Sequence, residues 1–475
     1  MRAPTRARII GRLLAGAGMC LLGGCATLRT TLSGYAIGGD GLPRPQQQLR
    51  EALSRGDFKT ALASREDDVL LKQLDVGIAS YYAAQFARSA AVLDSAALLA
   101  DDRITASLSR DALALVTSDL ARPYQPRRTE RLFIPYYAML AYARLEQWED
   151  AAVEARRLSS LLEQYGEDRD DRERSLHGAL HELAGAVFTR AGEDGDADVA
   201  YRAARALVPA FAAADSGPDR VDSSGTGEVL VVVERGYVAH RVTETLQLDF
   251  DTDGNDSLRL RDGGWGEADH RRVTHASAQS TGQRLPLPSY IPVRRRHAEL
   301  DDDDYRLTIA VPALRSSARS WGIAVRAGAV EDSLGRLGVV ARLDDATAAD
   351  ERRERGAIIT RAAARATAKY AVVKAVRDKK GDVAGTLANF GASLLERADV
   401  RSWHLLPSEI TLIRLRLPAG QQRVTLRIDD GTSARSVEIG TVAVRAGSVQ
   451  VAPVRLWQAP PPVAAVAPDS LQPRP

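Results

Sequence analysis

The spacing of apolar and polar positions changes twice along the chain. From Gln46 to about Phe211 the text is Ala- and Leu-rich, with proline nearly absent except around Pro123, Pro126 and Pro135. Apolar residues there recur at three- and four-residue spacing, which predicts amphipathic helices. Between about Asp215 and Gly227 the composition turns to Ser, Gly, Asp and Pro, which predicts a linker. From Glu228 the period becomes that of strands. Val229 to Val233 is a continuous apolar run, as in a strand buried on both faces. Tyr305, Leu307, Ile309 and Val311 alternate, as in a half-buried strand. Helical spacing returns over residues 347–397. Ile359, Ala362, Ala363, Ala366, Tyr370 and Val373 share a face, and Lys379-Lys380-Gly381 reads as the helix end. Val383, Leu387, Phe390 and Leu394 mark a second helix. Strands resume near Ile410, with alternation at Val424, Leu426 and Ile428 and again at Val442 and Val444. The last run is short, so both strand runs are expected to join one sheet system. Beyond Trp457, Pro460, Pro461 and Pro462 predict a disordered tail.

The N-terminus carries a different signal. Arg2, Arg6, Arg8 and Arg12 precede an apolar stretch from Leu13 to Leu22, too short to span a bilayer as a mature helix. It closes on Leu22-Gly23-Gly24-Cys25, which resembles the bacterial lipobox: an aliphatic residue, two small residues and the cysteine that becomes acylated. Cys20 follows Met19, which is not small. The resemblance implies removal of residues 1–24 and lipidation of Cys25, and Ala26 in the next position implies sorting to the outer membrane. A lone acylated cysteine makes no intramolecular disulfide. Residues 25–45, rich in Thr, Ser and Gly, predict a flexible tether.

Composition narrows the function. The chain has 475 residues, 45% hydrophobic and 27% charged, which suits folded domains with a real core. A net charge of +2 and 5% aromatic residues lack the basic excess and stacking platforms of a nucleic-acid binder. Two cysteines exclude a disulfide scaffold and a Cys-based zinc module.

Within the helical half, Tyr136-Tyr137-Ala138-Met139-Leu140-Ala141-Tyr142-Ala143 is followed by Gln147-Trp148-Glu149-Asp150-Ala151-Ala152 and Ala155. An aromatic on the first helix, small residues at the crossing, a turn, and an aromatic opening the second helix resemble a tetratricopeptide unit. The pattern recurs at Tyr81 to Ala90 with Phe86, and more weakly at Gly56-Asp57-Phe58 with Ala61 and at Gly195 to Ala203. Spacings of 28, 62 and 48 residues between the second-helix positions depart from the ~34 of a strict repeat. The expectation is a degenerate array of three to four units, against a generic helical bundle. Its concave face would hold a protein partner, with Tyr81, Tyr136, Tyr137 and Trp148 as candidate groove contacts.

A longer stretch, Glu396-Arg397-Ala398-Asp399-Val400-Arg401-Ser402-Trp403-His404-Leu405-Leu406-Pro407, leads into Ile410 to Gly420. With Arg131 to Tyr142 and Pro286-Leu287-Pro288-Ser289-Tyr290, it resembles a poorly characterised family of Gram-negative lipoproteins with tetratricopeptide-like helices and a β-rich C-terminal half. The resemblance implies that architecture and a loose association with lipoproteins that activate peptidoglycan synthases. It carries no activity. Read physically, the segment is a helix-to-strand corner in which Trp403 plugs the joint. The rival reading is a ligand site formed by Asp399, Arg401, Trp403 and His404.

Other candidate chemistry is thin. His177 and His181 lie four apart with Glu182 next, but Gly178 stands where a metalloprotease helix needs Glu. Asp251, Asp253, Asn255 and Asp256 around Gly254 lack EF-hand spacing and read as a turn. Asp301 to Asp304 and Arg294 to Arg296 read as solvated loop charges. No nucleophile elbow and no phosphate-binding loop occur in the sequence. Ala357 to Lys380 is cationic with an apolar stripe, which fits a membrane-surface helix, but the stripe is mostly alanine, so packing on the sheet is the preferred reading.

The expected architecture is an α+β multidomain chain: a tetratricopeptide-like α-solenoid over 46–215, a linker at 216–227, and an antiparallel β-rich domain over 228–457 with a helical pair inserted at about 347–397. The tail is 458–475. The expected function is a non-catalytic scaffold on the outer membrane facing the periplasm. Expected partners are envelope proteins, peptidoglycan and the membrane through Cys25, with no cofactor, metal or nucleic acid. The alternative is a cell-wall polymer or lipid binding module in the β-rich half.

Overall fold

The computed structural model describes residues 41–64, 66–110, 122–213, 225–252, 258–260, 305–316, 322–327, 330–333, 338–380, 398–429 and 434–457. The signal segment, Cys25, the Asp253–Asp256 turn, Arg294 to Arg296, Asp301 to Asp304, the helix around Phe390 and the Pro-rich tail lie outside them.

The first half is a run of helices: α1 Arg44–Ser54, α2 Phe58–Ala61, α3 Val69–Tyr82, α4 Phe86–Arg110, α5 Arg128–Arg144, α6 Trp148–Gln164, α7 Arg174–Ala191, α8 Asp194–Leu207 and α9 Ala210–Ala213. They form four successive hairpins with one turn geometry. Each first helix ends on a residue with positive φ: Gly56, Ala84, Glu146 and Gly192, at 73°, 57°, 59° and 81°. The next residue's N–H reaches back five positions in every case, at 2.8–3.0 Å: Asp57 to Ala52, Gln85 to Ser80, Gln147 to Tyr142 and Glu193 to Phe188. This is the Schellman closure, which satisfies the orphan carbonyls of one helix and aims the chain into the next.

Two of these left-handed positions are not glycine, and each side chain there opposes the turn by roughly 1 kcal/mol. Glu146 is exposed. We expect Glu146→Gly to raise the urea midpoint by the equivalent of about 0.5–1 kcal/mol, and a lowered midpoint would contradict the assignment.

The second half is built from sheets. Strands β1 Thr226–Arg235, β2 His240–Thr252, β3 Leu258–Leu260, β4 Tyr305–Arg315, β5 Gly322–Ala327, β6 Val330–Ser333 and β7 Gly338–Arg342 precede the long helix α10, Leu343–Lys380. Strands β8 Glu409–Pro418, β9 Gly420–Asp429, β10 Ala434–Val444 and β11 Val449–Leu456 follow it. The described strands fall into sheets of order β11-β1-β8-β7, β10-β9-β5-β6 and β3-β2-β4. Strands from before and after α10 thus pair directly. The domain is not wholly antiparallel, because β1 and β11 run parallel, with Val231 opposite Ala452. A parallel partner places β1 in the sheet interior, where its unbroken apolar run belongs.

The alternation of β1 builds the layers. Leu230 and Val232 join the cluster that holds the helical core, whereas Val229, Val231 and Val233 join a second cluster with Leu426 and Val444 of the other sheet. One face of the β1 sheet therefore packs on helices and the other on a second sheet. The helical and β halves share a single hydrophobic cluster, from Leu74 and Tyr137 to Trp403 and Leu412.

Three boundaries differ from expectation. Leu42 is buried, so the last residues of the 25–45 segment belong to the folded body. The 347–397 insertion begins with one helix of 38 residues. Residues 225–227, placed in a linker, are a turn and the start of β1.

Candidate functional site

The candidate site is the seam where the inner helices meet the β1 sheet. Glu228 and Glu234 bracket the apolar run of β1, and the pleat turns both toward the helices along with Leu230 and Val232. Glu234 is 1% exposed. Its carboxylate accepts the Tyr82 hydroxyl at 2.6 Å and the Tyr136 hydroxyl at 2.9 Å. The Tyr82 and Tyr137 hydroxyls lie 2.9 Å apart. Arg455, from the last strand, donates to both at 3.3 and 3.5 Å, and to the carbonyls of Gly236 and Leu405 at 2.6 and 3.1 Å. Its guanidinium stacks on Tyr82, Tyr237 and Trp457. Burial, reinforced by the Glu234 charge, raises the Tyr81 and Tyr136 hydroxyls above their usual range, so they remain donors.

Three proposed groove residues belong to this seam. Tyr81, Tyr136 and Tyr137 are buried, with Tyr136 and Tyr137 at right angles 4.9 Å apart and Tyr137 set 6.2 Å from Trp403. They do not line an open groove, because the sheet of the same chain covers them. Two adjacent tyrosines on α5 are too much aromatic surface for one helix crossing, and the β half takes up the excess. Trp148 sits apart, half-buried under the Arg190 guanidinium at 4.7 Å.

The Asp399–His404 segment stitches the same seam. Arg401 pairs with Asp399 at 2.7 Å and donates to the Arg122 carbonyl at 2.8 Å. Trp403 is fully buried, and its backbone N–H donates to Glu130 at 2.7 Å. The His404 carbonyl accepts two bonds from Arg50 at 3.0 and 2.7 Å. Asp399 and Arg401 pair with each other, the segment's outside partners Arg122, Glu130 and Arg50 are all different, and the four residues do not converge on one opening. Both ring nitrogens of His404 are buried without a hydrogen-bond partner, and burial followed by the Arg50 charge holds the ring well below the usual histidine range, hence neutral. Trp403 borders a crevice with room for a single water, rimmed by Arg127, Glu130 and Asp350.

The other end of β1 has its own ionic cluster. Arg414 of β8 pairs with Glu182 of α7 at 2.7 Å and with Glu228, all three buried. Glu182 is therefore committed to the sheet and not to His177 or His181. Among the described residues no group of three or more His, Cys, Asp or Glu is placed to hold a metal. Burial, then Arg169, lowers His177 to about 3 and His181 to about 4. Their folded values lie below the unfolded 6.5, so stability is full above that pH and falls as pH drops toward 4. We expect a cost of about 2 kcal/mol per histidine at pH 5. A His177→Gln/His181→Gln chain would flatten the urea-midpoint profile between pH 7 and 5, and an unchanged slope would refute this.

Sequence reasoning missed Glu228, Glu234, Arg50, Arg414 and Arg455. A signal existed for the first two: glutamates bracketing a wholly apolar strand need buried partners. Comparison with known protein families, curated proteins and solved structures returned no match.

Proposed function

We propose that this chain is a non-catalytic scaffold, anchored by lipid on Cys25 to the outer membrane and facing the periplasm. Its tetratricopeptide-like hairpins hold an envelope protein, with cell-wall assembly as the setting. The carrying observation is the division of labour within the hairpins. Tyr81, Tyr136 and Tyr137 of the first helices α3 and α5 are buried in the seam, while the second helices α4, α6 and α8 each present one exposed aliphatic residue, Leu98, Val153 and Val199, 67%, 52% and 57% exposed; Val69, at the first position of α3, is exposed as well. The partner-facing surface is thus the outer one, in place of the inner groove expected from the tyrosines. One exposed aliphatic residue on each of three successive second helices is an adaptor's pattern of anchors.

Removing the helical half is unsuitable as a control, since it strips the β half of shared core. Crosslinking in cells with Leu98→Glu/Val153→Glu/Val199→Glu is the sharper comparison. A specific protein adduct should disappear from this variant while its melting curve stays unchanged. An adduct that persists moves the contact to the β half. Absence of any adduct from the parent chain rejects the adaptor reading.

A further inference from the structure

Two histidines of α7 face cations and no anion. His177 and His181 stand one turn apart on one side of the helix. His177 is 1% exposed and His181 is half-buried, and the Nδ1 atom of each ring is buried without a hydrogen-bond partner. The charges acting on His177 come from three other elements: Arg169 in the loop after α6, Arg353 of α10 and Arg128 at the start of α5. His181 feels Arg169 as well. Among the described residues no carboxylate offsets these cations at either ring.

The three arginines differ in what balances them. Arg128 pairs with Asp168 at 2.9 Å, and Arg353 pairs with Glu173 at 2.9 Å and Asp350 at 2.8 Å. Arg169 is half-buried and makes no ion pair with any described residue. Its acidic chain neighbours are used elsewhere or point outward. Asp168 holds Arg128, Asp170 accepts the Arg172 N–H at 3.0 Å and pairs with Arg352, and Glu167 is exposed. A guanidinium held partly out of water is best matched by a carboxylate or phosphate that takes its fork of donors. A neutral imidazole carries its proton on either nitrogen, so each ring can add one N–H to the same point. The surrounding guanidiniums repel a metal ion and attract an anion.

We propose that Arg169, His177 and His181 form a binding site for a tetrahedral oxyanion, a phosphate or sulfate group. Arg169 supplies the charge and the donor fork, and the two rings supply one N–H each. An anion beside the rings raises their affinity for protons, so binding takes up protons and tightens as pH falls. The site stands apart from the exposed aliphatic row and from the lipid anchor, and its test is independent of both.

The test is calorimetric titration of the chain from residue 26, in buffer free of phosphate and sulfate, with sodium sulfate and with inorganic phosphate. Sulfate keeps its charge between pH 7 and 5, so a change in its affinity reports on the protein. That affinity should rise severalfold over the interval. Arg169→Gln should weaken binding about tenfold to a hundredfold. Arg169→Lys, which keeps the charge and loses the fork, should fall between the two and carries the comparison if Arg169→Gln fails to fold. His177→Gln/His181→Gln should remove the rise at low pH. Arg172→Gln removes an exposed cation three residues further on and should change nothing. Phosphoserine titrated beside inorganic phosphate separates the sources: tighter binding of the ester identifies a phosphorylated group as occupant, and equal or weaker binding identifies the free ion. Ligand-free melting curves check that each variant is folded. No binding by the parent chain, equal losses in Arg172→Gln and Arg169→Gln, or a rise at low pH that survives in the double variant overturns the proposal.

Discussion

Glu234→Ala should destabilise the protein by about 3–5 kcal/mol. The carboxylate is buried and takes hydrogen bonds from Tyr82 and Tyr136 at 2.6 and 2.9 Å. Removing it strands the buried Tyr136 hydroxyl, leaves the Tyr82 hydroxyl with the Tyr137 hydroxyl as its acceptor, and takes the Glu234 charge away from the neighbouring Arg455. Breaking a buried ionic network from one side costs far more than the intact network contributes. Glu234→Gln keeps an acceptor of the same shape and should cost less than half as much. Tyr136→Phe, which deletes one donor, should cost about 1.5–3 kcal/mol. Urea unfolding of the set, followed by circular dichroism, gives the ranking. A Glu234→Ala cost below 1 kcal/mol would mean that the seam does not depend on this network.

Trp403→Ala should cost a similar amount, about 3–5 kcal/mol, for a different reason. Trp403 is the largest fully buried side chain among the described residues and touches Tyr137 across the seam. Its removal opens a cavity bounded by helices on one side and strands on the other. Neither half can collapse into it without leaving the other. The parent chain should unfold in one transition, because one cluster spans both halves. Trp403→Ala should separate loss of helix from loss of strand on a denaturant curve, and Trp403→Phe should restore a single transition. Coincident transitions in Trp403→Ala would refute the shared-core account.

Periodicity alone located most of the elements. The apolar run at Val229–Val233 became a central strand, and the three-four spacing before Phe211 became stacked hairpins. The turns were partly visible too: Gly56 and Gly192 are ordinary helix stops, but Ala84 and Glu146 adopt the same geometry without the residue that announces it. What periodicity cannot carry is which face of a helix meets which sheet. Tyr81, Tyr136 and Tyr137 look the same in sequence whether they line a groove or a seam. Their fate was decided by β1 and β11, strands about ninety or more residues away in the chain. Arg414 and Arg455 were hidden for the same reason, since a cation in a strand near the C-terminus gives no local hint of the carboxylates and aromatics it will meet.

Arg50 bears on how the molecule would carry a mechanical load. Its guanidinium donates to the carbonyls of His404 and Val238, its own carbonyl accepts the Tyr237 hydroxyl at 2.7 Å, and the cation lies 4.7 Å over that ring. These bonds rivet α1 to the β half. Tension applied at the N-terminal end enters at Leu42, passes through α1 and is delivered straight to the sheets. The hairpins from α3 to α8 lie off that line of force. The tether proposed at Cys25 would therefore tug on this protein without prising apart the helices proposed to hold a partner.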